Sequence, residues 1–514
     1  MIRFLPVGPR CFLAELADLD ATLALYDALL ADPLPGVIDL VPAARTIMVR
    51  TAPGIAADAA LARAIRGRAA APPQASDRIA DVIELPVTYD GEDLDEVACL
   101  MNLTVAEVIK AHQAAIWQVA FCGFAPGFAY MTCDDARFDL PRRTEPRTRI
   151  PAGSVALAGR FCGVYPQESP GGWQLIGRTD AAMWDLSREP PALLRPGMRV
   201  RFVPGRVVVR SDTPAPTAKV QGLRVQETAF PILVQDLGRP GQAGQGVSAS
   251  GALDRGALRR ANRAVGNPAG APALEVTSGP VRLLAEVSMT LALSGAARAT
   301  FGAAAVEPGG AFALDAGDHL QIAAATAGMR SYLAVRGGFQ VQRTLGSAAT
   351  DTLAHVGPSP LVAGDALALA HQAAMAVSDP DPAPDLPAIG DVVNLPVTLG
   401  PRTDWFDDSA VQSFLAQEWL VTRHSSRVGI RLSGGPILRP DAAELPSEGC
   451  AAGAIQVPHS GQPVLFLADH PLTGGYPVIA TLQPDTLDLA GQLPPGARIR
   501  FDAAAPFAPI DPEG

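Results

Sequence analysis

Apolar side chains recur on one helical face at Leu19, Leu23, Tyr26 and Leu30, and residues 46–50 read as a short strand. A second helix is expected over 55–68. The proline-bearing stretch 69–76 then reads as a linker, so residues 1–76 predict a small α+β domain. Residues 82–89 alternate like a strand. Thr104, with Glu107 three positions on, forms a capping box that opens a helix carrying His112. From Phe121 onward short strands and turns dominate, giving a second unit at 77–210. Pro and Thr crowd residues 211–218, inside a linker expected at 211–222, and the patterning restarts in two further units, 223–385 and 386–514. The whole predicts an α+β chain of predominantly β architecture.

The densest patterning lies at residues 121–179, which hold FCGFAPGFAYM, RIPAGSVALAG and YPQESPGGWQLIGRT. Glycine supplies torsions and close approaches that other residues cannot, proline fixes φ and removes a donor, and aromatics offer flat faces. Each turn alone reads as a joint between strands; the three in sequence read as a binding surface. Part of the run is echoed later. Residues 153–155 followed by 171–176 parallel residues 453–455 followed by 474–479, a small-residue turn preceding a Gly-Gly-aromatic turn that feeds a strand. This predicts a repeated barrel unit and a cleft where the two copies meet.

Composition narrows the chemistry. The 514 residues suffice for three or four domains, and a net charge of −11 argues against a nucleic-acid groove. The basic cluster Arg142, Arg143, Arg147 and Arg149 reads either as a solvated, salt-bridged loop or as an anion contact. Six cysteines without a CxxC pair read as reduced cytosolic thiols. Neither a signal peptide nor an uninterrupted run of about 18 apolar residues is evident, so a cytoplasmic chain with no membrane span is expected. Only two lysines occur, Lys110 and Lys219. Neither has the Gly-Lys-Ser/Thr setting of a P-loop or the Met-Lys-Met setting of a biotinyl site.

Polar residues in the second half carry open alternatives. Asp236 and Arg239 suggest a structural ion pair in a Gly-Pro turn. Asp254, in the first turn of a helix, suits the helix dipole. Glu275, in an apolar strand, must face outward or be paired. Glu448, Gln456, His459 and Asp469 flank Gly-rich turns, where a carboxylate or histidine can orient water or take a proton. His112 reads as packed or as a proton carrier.

The motifs at His112, 123–128 with Tyr130, Arg142, Arg143, Arg147, 151–154, Tyr165, 169–173, Arg178 and Thr179 carry a family resemblance. Through them residues 3–206 resemble the B component of 5-oxoprolinase, the KipI family or allophanate hydrolase subunit 1. Pro9 stands where that family usually has aspartate, so nothing functional is carried onto that turn. VQDLGRPG at 234–241, the run at 250–268, LEVTSGP, VRGGF, SEG at 447–449 and the runs 453–463 and 468–482 make residues 223–507 resemble the C component. This is the KipA family or allophanate hydrolase subunit 2. Ala348 and Ala349 stand where that family often has an Arg followed by a hydroxyl residue, so no anion contact is carried onto that turn.

The resemblance implies cyclophilin-like β-barrels at 77–210 and 386–514 and another barrel domain at 223–385. It also implies ATP-dependent opening of 5-oxoproline to glutamate with a separate A component of the LamB/YcsF family, a homo-oligomer being possible. On that reading Arg142, Arg143, Arg147 and Arg178, with the turns at Gly153, Ser154, Gly171 and Gly172, meet the phosphates of ATP, accompanied by Mg²⁺. Phe128, Tyr130, Trp173, Gln456 and Tyr476 line a pocket for a small amide, and His112, Glu448, His459 and Asp469 handle protons. The same modules are similar to the carboxyltransferase region of urea carboxylase, for which this chain would carry no covalent biotin of its own. KipI-type inhibition of a histidine kinase is a third expectation.

Overall fold

The computed structural model describes residues 2–69, 82–143, 145, 147–205, 221–377, 382–440 and 445–513. Strands Arg3–Gly8, Cys11–Glu15, Thr46–Thr51 and Val37–Pro42 form the first sheet, in that order, with helices Leu19–Ala31 and Ala59–Ala69 beside it. Asp18 caps the first helix by accepting from Ala21 N at 2.9 Å. The second helix starts later than its apolar pattern suggests, because the Asp58 carboxylate takes the amides of Ala60 and Leu61 and fixes the entry there. The expected linker at 69–76 lies, beyond Ala69, outside the described residues, as does the one at 211–218.

Seven strands follow in the order Gln174–Arg178, Ser154–Ala158, Phe161–Val164, Ala129–Thr132, Trp117–Cys122, Arg199–Pro204 and Val82–Val87. Thr88 and Arg178 exchange backbone hydrogen bonds of 2.9 Å and join the two edges. The capping box at Thr104 and Glu107 forms as read, opening helix Val105–Ala114. The last unit repeats this order strand for strand as a closed barrel of Val392–Leu399, Val478–Leu482, Ala454–Gln456, Val464–Phe466, Gly429–Ser433, Trp419–Val421 and Arg498–Ala503. The sequence echo marks the same corner in both copies. Gly153 N donates to Tyr165 O and Gly453 N to Phe466 O, at φ of 79° and 88°, a backbone region that suits glycine.

Between the barrels, the unit read from sequence as a barrel distributes its strands over two sheets, of six and five strands. Val225, Leu283 and Leu320 from one meet Leu274, Leu291 and Leu333 from the other in a shared core. Helix Arg255–Ala264 lies against the five-stranded sheet through Leu258 and Ala261. Asp254 is its N-cap, one position earlier than a first-turn residue, and accepts from Ala257 N at 2.7 Å. No helix among the described residues is long and apolar enough to cross a membrane.

Candidate active site at the seam between the halves

Residues 123–128 join strands Trp117–Cys122 and Ala129–Thr132, and they dock the first barrel onto the second half. Phe124 N donates to Thr473 Oγ1 at 3.2 Å and Gly127 N to Gln245 O at 3.1 Å. A Cβ at Gly123 would collide with Thr473, and one at Gly246 would stand 2.8 Å from Ala125 O. Glycine on both sides is thus what lets the two backbones meet. The Tyr130 hydroxyl bonds to Thr473 and Ser447; burial pushes its pKa up to about 12, against the nearby Arg142. Behind the loop, Phe128, Tyr130, Tyr165 and Trp173 form an edge-to-face aromatic wall with centroids 5.0 to 5.5 Å apart.

Below the loop lies a buried charge network. Arg427 donates to both oxygens of Asp469 at 2.9 and 3.0 Å, to Glu275 at 2.5 Å and to Gly251 O at 2.6 Å. Ser250 and Thr352 complete the shell of Asp469. Burial would raise the Asp469 carboxyl, and Arg427 holds it below the ordinary range. Glu275 is therefore paired, with Tyr332 as a further donor at 2.6 Å. Asp351 accepts from Ser248 Oγ at 2.9 Å and from the amides of Leu353 and Ala354. Burial first and the Asp469 charge second push Asp351 up to about 6. The expected Asp236–Arg239 ion pair does not form. Asp236 is held by Ser347, Gly238 N and Ala348 N, while Arg239, 2% exposed, donates to Ala349 O.

The phosphate residues proposed from sequence are placed differently. Arg143 and Arg147 both bind the Asp93 carboxylate, at 2.5 and 2.8 Å, so these guanidiniums do not fit a nucleotide. Burial acts to raise Asp93, yet Arg147 and the Leu175 amide hold it low. Arg178 pairs with Asp90 on the surface. Gly153 and Ser154 shape a turn, with Ser154 Oγ on Pro151 O, while Gly171 packs on the Tyr165 hydroxyl and Gly172 O accepts from Arg143 N. Arg142 alone of these is exposed beside the aromatic wall.

His112 is fully buried in the first barrel, 4.4 Å from Phe202 by ring centroid, with Tyr89 OH at 2.8 Å and Cys162 at 3.5 Å. Burial lowers its pKa to about 3, which corrects its assignment as a proton carrier. Glu448 is buried against Arg402, which also holds Glu15 at 2.8 Å, so it acts as a tie. Gln456 donates to Tyr476 O, Tyr476 meets His459 edge-on, and His459 pairs with Arg439 at the surface, away from the carboxylate network. The seam thus gathers Phe128, Tyr130, Trp173 and Asp469. Sequence reading passed over Ser248, Asp351, Thr352, Arg427, His470 and Thr473. Asp351 stands two residues after Ala349, in a turn read only for its two alanines, and Thr473 and His470 stand in the run 468–482, read for Asp469, Tyr476 and the echoed turn at 474–479. No group of three or more His, Cys, Asp or Glu among the described residues is arranged for a metal ion.

Comparison with known proteins matches this division. The chain is 37% identical over 284 residues to the C component of the Escherichia coli K12 5-oxoprolinase, covering 54% of this chain and 90% of that protein. It is 40% identical over 178 residues to the B component of the Escherichia coli O157:H7 5-oxoprolinase, covering 33% and 79%. Urea amidolyase of Lachancea kluyveri matches at 34% over 294 residues, 52% of this chain and 16% of that protein. The crystal structure of TTHA0988 superposes with a TM-score of 0.83 at 35% identity, over 96% of this chain and 99% of that one. Residues 2–194 match the carboxyltransferase domain, subdomain C and D, and residues 245–503 match its subdomain A and B, so the chain belongs to the carboxyltransferase-domain family as a fusion of both parts.

Proposed function

We propose that this chain is the joined B and C component of a 5-oxoprolinase, opening 5-oxoproline to glutamate with ATP and a separate partner of the LamB/YcsF type. The observation that carries the reading is the seam. The region similar to the B component presents a glycine-aromatic loop to the region similar to the C component, and the buried Asp351 carboxylate lines a small cavity with Phe124 and Pro126 of that loop. A five-membered lactam is an unstrained amide, so its carbonyl must be made more electrophilic before water attacks, and phosphorylation of its oxygen does this. Arg143 and Arg147 are engaged elsewhere, so no step is assigned to a nucleotide on them. Arg142, exposed beside the buried aromatic cluster, offers a cation for the carboxylate of 5-oxoproline.

The relatives named urea amidolyase support a second reading, transfer of a carboxyl group from carboxybiotin to an amide nitrogen. One experiment separates the two. Glutamate release is measured from 5-oxoproline with and without ATP, using the full chain plus a LamB/YcsF-type partner; parallel reactions hold biotin carboxylase, a biotin carrier and urea. ATP-dependent glutamate release is expected. Carboxylation of urea without glutamate release would overturn the proposal.

A further inference from the structure

A small cavity lies under the docking loop, walled by Phe124 and Pro126 from the first barrel and by Ser248, Asp351, His470 and Leu472 from the second half. Its volume of about 10 Å³ is on the order of that needed for one water molecule. A water held there needs two to four polar partners, and the wall offers the Asp351 carboxylate, the Ser248 hydroxyl and the His470 ring.

Two carboxylates lie close to this cavity, and their hydrogen bonds distinguish them. Asp469 accepts five, from Ser250, Arg427 twice and Thr352 twice, which fixes it as an anion with no open lone pair toward the wall. Asp351 has Oδ1 on two backbone amides, while Oδ2 accepts only from Ser248 and retains a lone pair. His470 points Nδ1 at Pro471 O, at 2.9 Å, and burial lowers its pKa to about 4, leaving it a neutral and weak base at pH 7.

Resting on the hydrolytic reading above, we infer that Asp351 is a catalytic residue that takes the proton from the water attacking the amide carbon at this cavity. The water oxygen forms its bond to the carbon as one proton passes to Asp351 Oδ2. The nitrogen takes that proton back, the new hydroxyl gives its own proton to the nitrogen as the C–N electron pair leaves with it, and a second water cleaves the acyl phosphate so formed to the carboxylate and inorganic phosphate. A carboxylate raised toward neutrality is a stronger base than an ordinary one and is still ionised at pH 7. The charged and titratable groups around it are Asp469, Arg239, His470 and, behind Asp469, Arg427; Asp236 acts at longer range through Arg239.

The test uses the full chain with its LamB/YcsF-type partner. Asp351→Asn is expected to lower kcat for glutamate release by about 10²- to 10⁴-fold with KM little changed. The wild-type fall in kcat below about pH 6 disappears in this variant, and Asp351→Glu recovers part of the rate. Retention of kcat within threefold, or an unchanged acid limb, overturns the inference. Infrared spectra of the wild-type chain with ¹³C-labelled aspartate provide a reading independent of turnover. A buried carboxyl that gains its proton between pH 7 and 5 is expected, and its absence overturns the inference even where the Asn variant does not fold. Failure of the wild-type pair to release glutamate overturns the hydrolytic reading instead, and the infrared titration then still decides whether Asp351 accepts a proton at this cavity.

Discussion

In the first barrel Trp117 donates its indole N–H to the carbonyl of His112, and the His112 ring packs at a tilt on Phe202; in the second, Trp419 donates to the carbonyl of Phe414, and Phe414 stacks on Phe501. A two-stranded sheet of Arg147–Ile150 and Ser169–Gly171 sets Arg147 opposite Gly171, and its counterpart sets Glu448 opposite Gly474. Each small sheet is tied to the segment that follows the barrel's first strand, by Arg147 to Asp93 in one copy and by Glu448 to Arg402 in the other. The tie is retained while its charges are reversed. A contact that tolerates such reversal serves architecture, whereas an anion site would require the cation on a fixed side. What the copies do not share is the loop between their second and third strands in chain order. Residues 123–128 carry no charge, and residues 422–428 carry Arg427, which anchors Asp469 and Glu275. One loop is an uncharged docking contact with the second half, the other anchors a buried charge network.

Removing the anchor is the most severe way to break this division. Arg427→Met leaves Asp469 and Glu275 buried without their shared cation, and breaking such a buried pair costs about 3–5 kcal/mol. Urea unfolding should show that loss together with lower activity. A change below about 1 kcal/mol would mean that the network is not an anchor.

The mirrored ties come next. Arg402 and Glu448 are 4% and 6% exposed, Arg147 and Asp93 are 19% and 3% exposed, so solvent screens the second pair more. Glu448→Gln, with Glu15 still on Arg402, is expected to cost about 2 kcal/mol, and Arg147→Met about 1 kcal/mol. Arg147→Met should also retain ATP-dependent turnover within about threefold, since Arg147 is assigned no phosphate. A hundredfold loss of kcat in a folded Arg147→Met protein would return that arginine to the active site.

Local signals were the ones legible from sequence. The helix at residues 19–30, the Thr104 capping box and the glycine corners of the echoed barrel each depend on neighbours within a few positions. The loop 123–128 stood out because close approach between chain segments requires glycine, and it is the loop at the seam. Charge partners were not legible. Arg143 meets Asp93 from 50 residues away, Arg427 meets Glu275 from 152, and Ser250 meets Asp469 from 219. A cluster of arginines without visible partners reads as open for an anion, and a buried histidine inside a family motif reads as chemistry. Only the fold supplies the carboxylates and the apolar walls that decide otherwise.

The smallest change at neutral pH is the most direct test of equivalence between the copies, because it writes one barrel's residue into the other. His112→Phe installs the residue found at Phe414. At pH 8 the variant should be about 1 kcal/mol less stable, since Tyr89 OH loses its ring-nitrogen partner. Lower pH reverses the order. Burial depresses the His112 pKa from 6.5 to about 3, so the folded chain binds fewer protons than the unfolded one between these values. Its contribution is complete above pH 6.5 and declines as pH falls, by about 1.4 kcal/mol per unit, or about 2 kcal/mol at pH 5. Phenylalanine carries no such dependence, and His470 titrates in both proteins and cancels. Urea midpoints of the two should therefore cross between pH 8 and 5, with the variant more stable by about 1 kcal/mol at the acid end and turnover at pH 8 unchanged. Parallel curves that never cross would show that His112 is not held neutral in the core, and the correspondence with Phe414 would fail at the position where the two barrels look most alike.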